Sequence, residues 1–161
     1  MLIVPPDYVA EEINKRLGVV GRRVNLPHLT LGRSFNSTQR DIVSSLEKTL
    51  KSREPFEIRL DKVDQFCDRI IFLTTTDDEE VDKIKDLFFE IKPAIDGGLE
   101  ERISFVPHLT LTKQELDESG RELLRDAFLD PICLPINRVS LFRSNNREWQ
   151  KLGDFGLGKT S

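Results

Sequence analysis

The feature that most constrains this chain is a repeated strand-like segment. Leu26-Pro27-His28-Leu29-Thr30-Leu31 returns as Val106-Pro107-His108-Leu109-Thr110-Leu111, with five consecutive identities at an offset of 80. A second echo follows in the same order at an offset of 76. There Leu60-Asp61-Lys62-Val63 and Phe66 match Ile136-Asn137-Arg138-Val139 and Phe142. Two echoes in one order at nearly one offset predict two structurally similar lobes. No linker rich in Gly, Pro or Ser parts them. At 161 residues the chain is expected to form one two-lobed domain spanning 1–161, its internal repeat about 1–68 and 69–161.

The hydrophobic pattern repeats as well. Residues 2–4 read as a short buried strand, and Asp7 to Leu17 as a helix with Val9, Ile13 and Leu17 on one stripe. Gly18 stands where that helix should stop. A strand is expected over 24–32, then a helix capped by Ser37 or Thr38 with Ile42, Val43, Leu46 and Leu50 inward. Phe56, Ile58 and Leu60 alternate as in a half-buried strand. The second half runs likewise: a strand from Arg69 to Thr75, then a helix opened by a Thr76-x-x-Glu79 capping box. A strand over 103–111, a helix from Ser119-x-x-Glu122, and strands at Ile132 to Ile136 and Glu148 to Phe155 follow. Each half therefore reads β-α-β-α-β.

Composition excludes several classes. The N-terminal apolar run Leu2-Ile3-Val4 stops at Pro5-Pro6, too short for a signal-peptide core or a membrane span, so a cytoplasmic protein without membrane association is expected. Cys67 and Cys133 are far apart and outside any CxxC spacing, and no glycine-rich phosphate loop is present. Charge is uneven. Residues 1–53 hold nine basic and five acidic side chains, 54–130 ten and 21, and 131–161 five and two. A net charge of −4 argues against a dedicated duplex-DNA binder. A phosphorylated small molecule or an RNA end needs only two or three cations.

Both histidines of the chain lie in the repeat. Side chains alternate along a strand, so His28 and Thr30 project to one face while Leu29 and Leu31 anchor the other; the same holds for His108 and Thr110. One neutral imidazole can take a proton from water while the other, protonated, gives one to a leaving oxygen. The Thr hydroxyls can bind non-bridging phosphate oxygens, with Arg33, Lys113 and Arg143 as candidate cations. Tyr8 and Trp149 are candidates for stacking on a nucleobase, although either could simply pack against the core. A lone His-Leu-Thr is more often structural than catalytic; its duplication reverses that weighting. Cys67, Cys133, His28 and His108 have the ligand types of a zinc site but not its spacing, so no metal is expected.

Paired Pro-His-Leu-Thr-Leu segments about 80 residues apart resemble the two-histidine (2H) phosphoesterases, in particular the 2′-5′ RNA ligase and RNA 2′,3′-cyclic phosphodiesterase branch. The resemblance extends to the N-terminal strand ending in Pro, to Val139-Ser140-Leu141-Phe142-Arg143-Ser144, and to Trp149-x-x-Leu152-x-x-Phe155. It implies an α+β bilobal fold whose duplicated units are related by a pseudo-two-fold, with an active-site cleft between two mainly antiparallel sheets. It also implies no cofactor, His28 and His108 as the acid–base pair, and Thr30 and Thr110 as phosphate ligands. Thr112-Lys113 follows the second motif where many relatives carry an Arg.

The expected activity is metal-independent hydrolysis of a 2′,3′-cyclic phosphate on RNA or a nucleotide by a monomer, with 2′-5′ ligation as its reverse. The alternatives are cleavage of a 3′-5′ or cyclic-oligonucleotide signal, or a nucleotide-binding domain of the same fold without turnover.

Overall fold

The computed structural model describes residues 1–32, 39–91, 105–145 and 148–158. The elements run β1 (Leu2–Ile3), α1 (Asp7–Leu17), β2 (Leu29–Thr30), α2 (Gln39–Leu50), β3 (Phe56–Leu60) and β4 (Lys62–Phe66). They continue β5 (Ile70–Thr74), α3 (Asp78–Ile91), β6 (Leu109–Thr112), α4 (Glu118–Ala127), β7 (Ile132–Ile136), β8 (Arg138–Asn145) and β9 (Glu148–Gly156).

The fold is α+β, with two antiparallel sheets among the described residues, as expected. The larger has strand order β4-β5-β6-β2-β1-β8-β9 and the smaller pairs β3 with β7. The duplication is visible in that order. A two-fold between β6 and β2 exchanges β5 with β1 and β4 with β8, and the smaller sheet pairs one strand from each repeat. Each lobe takes its outer strand from the other half of the chain: β4 pairs with β5, and β8 with β1. The histidine strands thus become neighbours in one sheet, joined at Leu29 and Leu109. Strand β9 has no partner under this two-fold and lengthens one side of the sheet only.

The apolar stripes form the core. Val9, Ile13 and Leu17 of α1 and Ile84, Leu87 and Ile91 of α3 are buried with Leu29, Leu31, Leu109 and Leu111 from the sheet. Ile58, Leu60, Ile132, Leu134 and Ile136 of the small sheet join the same cluster. Burying an aliphatic side chain of this size contributes about 1.5–3 kcal/mol, so the inward faces of the two histidine strands are strongly fixed.

Several local expectations are corrected. α1 ends at Leu17 with Gly18 as its C-cap, as expected; Gly18 is right-handed and opens a 3-10 turn, and Gly21, with φ 65°, takes the left-handed position. The cap of α3 is Asp77, whose side chain accepts from the N–H groups of Glu79 and Glu80, whereas the Thr76 hydroxyl donates to Asp61. The cap of α4 is Asp117, accepting from Gly120 N–H, and not Ser119. The strand expected over 24–32 shrinks to Leu29–Thr30. Asn14 of α1 donates to the Val24 carbonyl and accepts from its N–H, so that backbone is satisfied by a side chain instead of a neighbouring strand. Ser37 and Thr38, the caps expected for α2, lie outside the described residues.

Candidate active site

Pairing of Leu29 with Leu109 fixes the site. Both leucines are fully buried on the helix side, so their neighbours His28, Thr30, His108 and Thr110 share the opposite face, each half-buried. One antiparallel step to either side sets His28 beside Thr110 and His108 beside Thr30. The two histidines are then diagonal neighbours, a relationship that spans about 7–8 Å in a regular ladder. The row behind them is symmetric too: Leu2 pairs with Thr30, and Phe72 with Thr110. Leu2 and Phe72 are both buried, and floor the two ends of this face.

Each imidazole is oriented by the same local bond. The Nδ1–H of His28 donates to the Leu26 carbonyl at 2.7 Å, and that of His108 to the Val106 carbonyl at 2.8 Å. A carbonyl can only accept, so Nδ1 carries the proton in both rings and Nε2 is the atom that gains or loses one. This tautomer leaves the Nε2 atoms of both rings available for proton transfer.

Their surroundings differ. Burial holds the His28 imidazolium below its ordinary pKa despite the bond to Leu26, and the positive charges of Lys113, the Met1 amino group and His108 push in the same direction. Its ring lies 5.5 Å from that of Trp149, which is 45% exposed and makes an edge contact with Phe142 at 6.1 Å. His108 instead meets Phe66 edge-on at 5.0 Å and Phe72 at 5.3 Å, two rings stacked on each other at 4.2 Å.

The remaining expected site residues divide. Lys113 is brought in by a bulge in β6: Phe72 pairs with Thr110 but Ile71 pairs with Thr112, so Leu111 is the extra residue. Thr112 is thereby buried on the Ile71 side, and Lys113 returns towards the imidazoles, close enough for its charge to act on His28. Arg143 follows Phe142 on β8, and alternation sets it on the reverse face. Tyr8 is 65% exposed at the start of α1, and the ring neighbours described for the imidazoles are Trp149, Phe66 and Phe72 instead. Arg33 lies outside the described residues. Cys67 and Cys133 are exposed, and among the described residues no group of three or more His, Cys, Asp or Glu could hold a metal ion. Phe66 and Phe72 were not singled out from the sequence, although the echo between Phe66 and Phe142 was a signal for the first.

Known proteins resemble this chain in sequence and in fold. A family model described as the 2′-5′ RNA ligase superfamily matches residues 5–148. A "Putative phosphoesterase" of Oceanobacillus iheyensis is 27% identical over 144 residues, covering 83% of this chain and 81% of its own length. One of Bacillus cytotoxicus, with the same description, is 28% identical over 148 residues, covering 84% and 81%. Among solved structures, TT0787 of Thermus thermophilus superposes with a TM-score of 0.72 at 17% identity, covering 99% of this chain and 97% of that one. E. coli LigT complexed with 3′-AMP gives a TM-score of 0.61 at 18% identity, covering 97% and 95%.

Proposed function

The chain belongs to the 2′-5′ RNA ligase superfamily, and from that premise we propose that it is a phosphodiesterase that opens a 2′,3′-cyclic phosphate at an RNA end or on a nucleotide. The observation that carries this reading is the matched pair of Nδ1–H bonds, which leave two Nε2 atoms as the reactive positions on one sheet face.

His28, disfavoured as an imidazolium, is the general base: its Nε2 takes a proton from water as the water oxygen bonds to phosphorus. His108 is the general acid. The bond from phosphorus to one ribose oxygen breaks, and the Nε2 proton of His108 passes to that oxygen, leaving a phosphomonoester and a ribose hydroxyl. The two rings end with exchanged protonation and reset through solvent. Thr30 and Thr110 donate to the non-bridging oxygens, and Lys113 offsets the charge that develops on them. Trp149 offers its exposed ring to the base of the substrate. The 3′-AMP complex of E. coli LigT, a nucleoside phosphomonoester on the same fold, is of the product type this reaction would give.

The test is incubation of an RNA ending in a 2′,3′-cyclic phosphate with the protein in the presence of a chelator. A phosphomonoester end should form at an undiminished rate. Turnover that stops with chelator would overturn the metal-free mechanism. Turnover only of 3′-5′ or cyclic-oligonucleotide substrates run in parallel would reassign the substrate, and saturable binding without product would mark a domain that binds only.

A further inference from the structure

Resting on that reading of His108, we propose that Thr74 is a positioning residue for His108, and that the first repeat has no equivalent of it. Thr74 ends β5 and is only 7% exposed. The β5–β6 ladder pairs Leu73 with Leu109, so the next step sets Thr74 beside His108 on the site face. Its hydroxyl donates to the Pro107 carbonyl at 2.7 Å, a fully buried bond that reaches across 33 residues of sequence.

The covalent path explains what this bond does. The carbonyl that receives His108 Nδ1–H belongs to Val106, and only Pro107 lies between the two residues. Within that span the pyrrolidine ring of Pro107 fixes one dihedral. The peptide unit between Pro107 and His108 carries the carbonyl that Thr74 holds, so the hydroxyl restrains the two dihedrals left free. Ring and hydroxyl together restrain the backbone from which the imidazole reaches back to the Val106 carbonyl.

The other repeat provides an internal contrast. Ile3 pairs with Leu29, so the residue beside His28 is Val4. Valine has nearly the shape of threonine and no hydroxyl to donate. Val4 therefore offers the Pro27 carbonyl no matching donor, and among the described residues no side chain takes the place of one. The carbonyl preceding the proposed acid thus has a hydroxyl partner that Val4 cannot supply to the base side, which suits a group that must present a proton along the line of the breaking bond.

Thr74→Val copies the first repeat and tests the idea. With a cyclic-phosphate substrate it should lower kcat about 10-fold or more while KM stays within about twofold, and Thr74→Ser should restore most of the loss. Nitrogen-15 NMR of the histidine rings gives a readout independent of turnover: the Nδ1–H form of His108 should dominate in the unmodified protein and in Thr74→Ser, and give way to a tautomer mixture in Thr74→Val. Should Thr74→Val not fold, Thr74→Ala, which also lacks a side-chain donor, is read in the same way. A folded donor-free variant with unchanged kcat and unchanged tautomer would overturn the proposal. Absence of turnover in the unmodified protein would instead count against the proposed activity, and the tautomer measurement would still decide the role of Thr74.

Discussion

Leu29 and Leu109 are opposed directly across the β2–β6 ladder, at the centre of the pseudo-two-fold that relates the two lobes. Both are fully buried in the core shared by the lobes. Packing at this one pair therefore sets the spacing of the four polar side chains on the other face. Leu109→Ala should destabilise the protein by about 2–5 kcal/mol, measured by denaturant titration. Because the strands can then shift relative to each other, the remaining folded enzyme should also lose turnover. Full stability in this variant would contradict the packing described.

The acid limb of the pH–rate profile should report His28. A base must be neutral, so kcat/KM rises as pH passes upward through its pKa. Burial first, then Lys113, the Met1 amino group and His108, set that pKa below the usual imidazole value of about 6.5. Removing a neighbouring positive charge favours the imidazolium, so Lys113→Met should raise the pKa and move the acid limb to higher pH. The height of the profile should fall as well, if Lys113 is the phosphate-binding cation proposed above. A limb that stays in place or moves down would show that His28 is not the group being titrated.

Trp149 belongs to β9, the strand without a counterpart under the two-fold, and lies beside His28, where we propose that the base of the substrate stacks. Stacking of a base on an aromatic ring contributes about 1–3 kcal/mol, or about 5- to 150-fold in binding. Trp149→Ala should raise KM for a nucleotide substrate within that range and change kcat much less; initial rates over a range of substrate concentrations check this. An equal loss for a cyclic phosphate lacking a base would show that Trp149 acts by supporting His28 instead.

Much of the site was legible because its signals are local. The alternation of His and Thr against Leu follows from strand geometry alone, and the helical stripes of α1 and α3 bury as their spacing demands. What was not legible depends on distant partners. The segment from Val24 to Pro27 looks like strand, but Asn14 satisfies Val24 and proline at 27 has no N–H to give to a ladder. Asp77 outcompetes Thr76 as a cap because the Thr76 hydroxyl is occupied by Asp61, 15 residues away. The exchange of β4 and β8 between lobes is a matter of pairing across the chain, and it is what brings Phe66 to His108. The bulge at Leu111, which re-aims Lys113, leaves no mark in the hydrophobic pattern.

If the two imidazoles act as one acid–base pair, replacing either one alone should abolish most of the turnover. His28→Ala and His108→Ala, each verified as folded, should lower the rate of cyclic-phosphate opening by about 10²- to 10⁴-fold. The bell-shaped pH profile of the unmodified protein should lose one limb in each variant. Near-full activity in either variant would contradict the account.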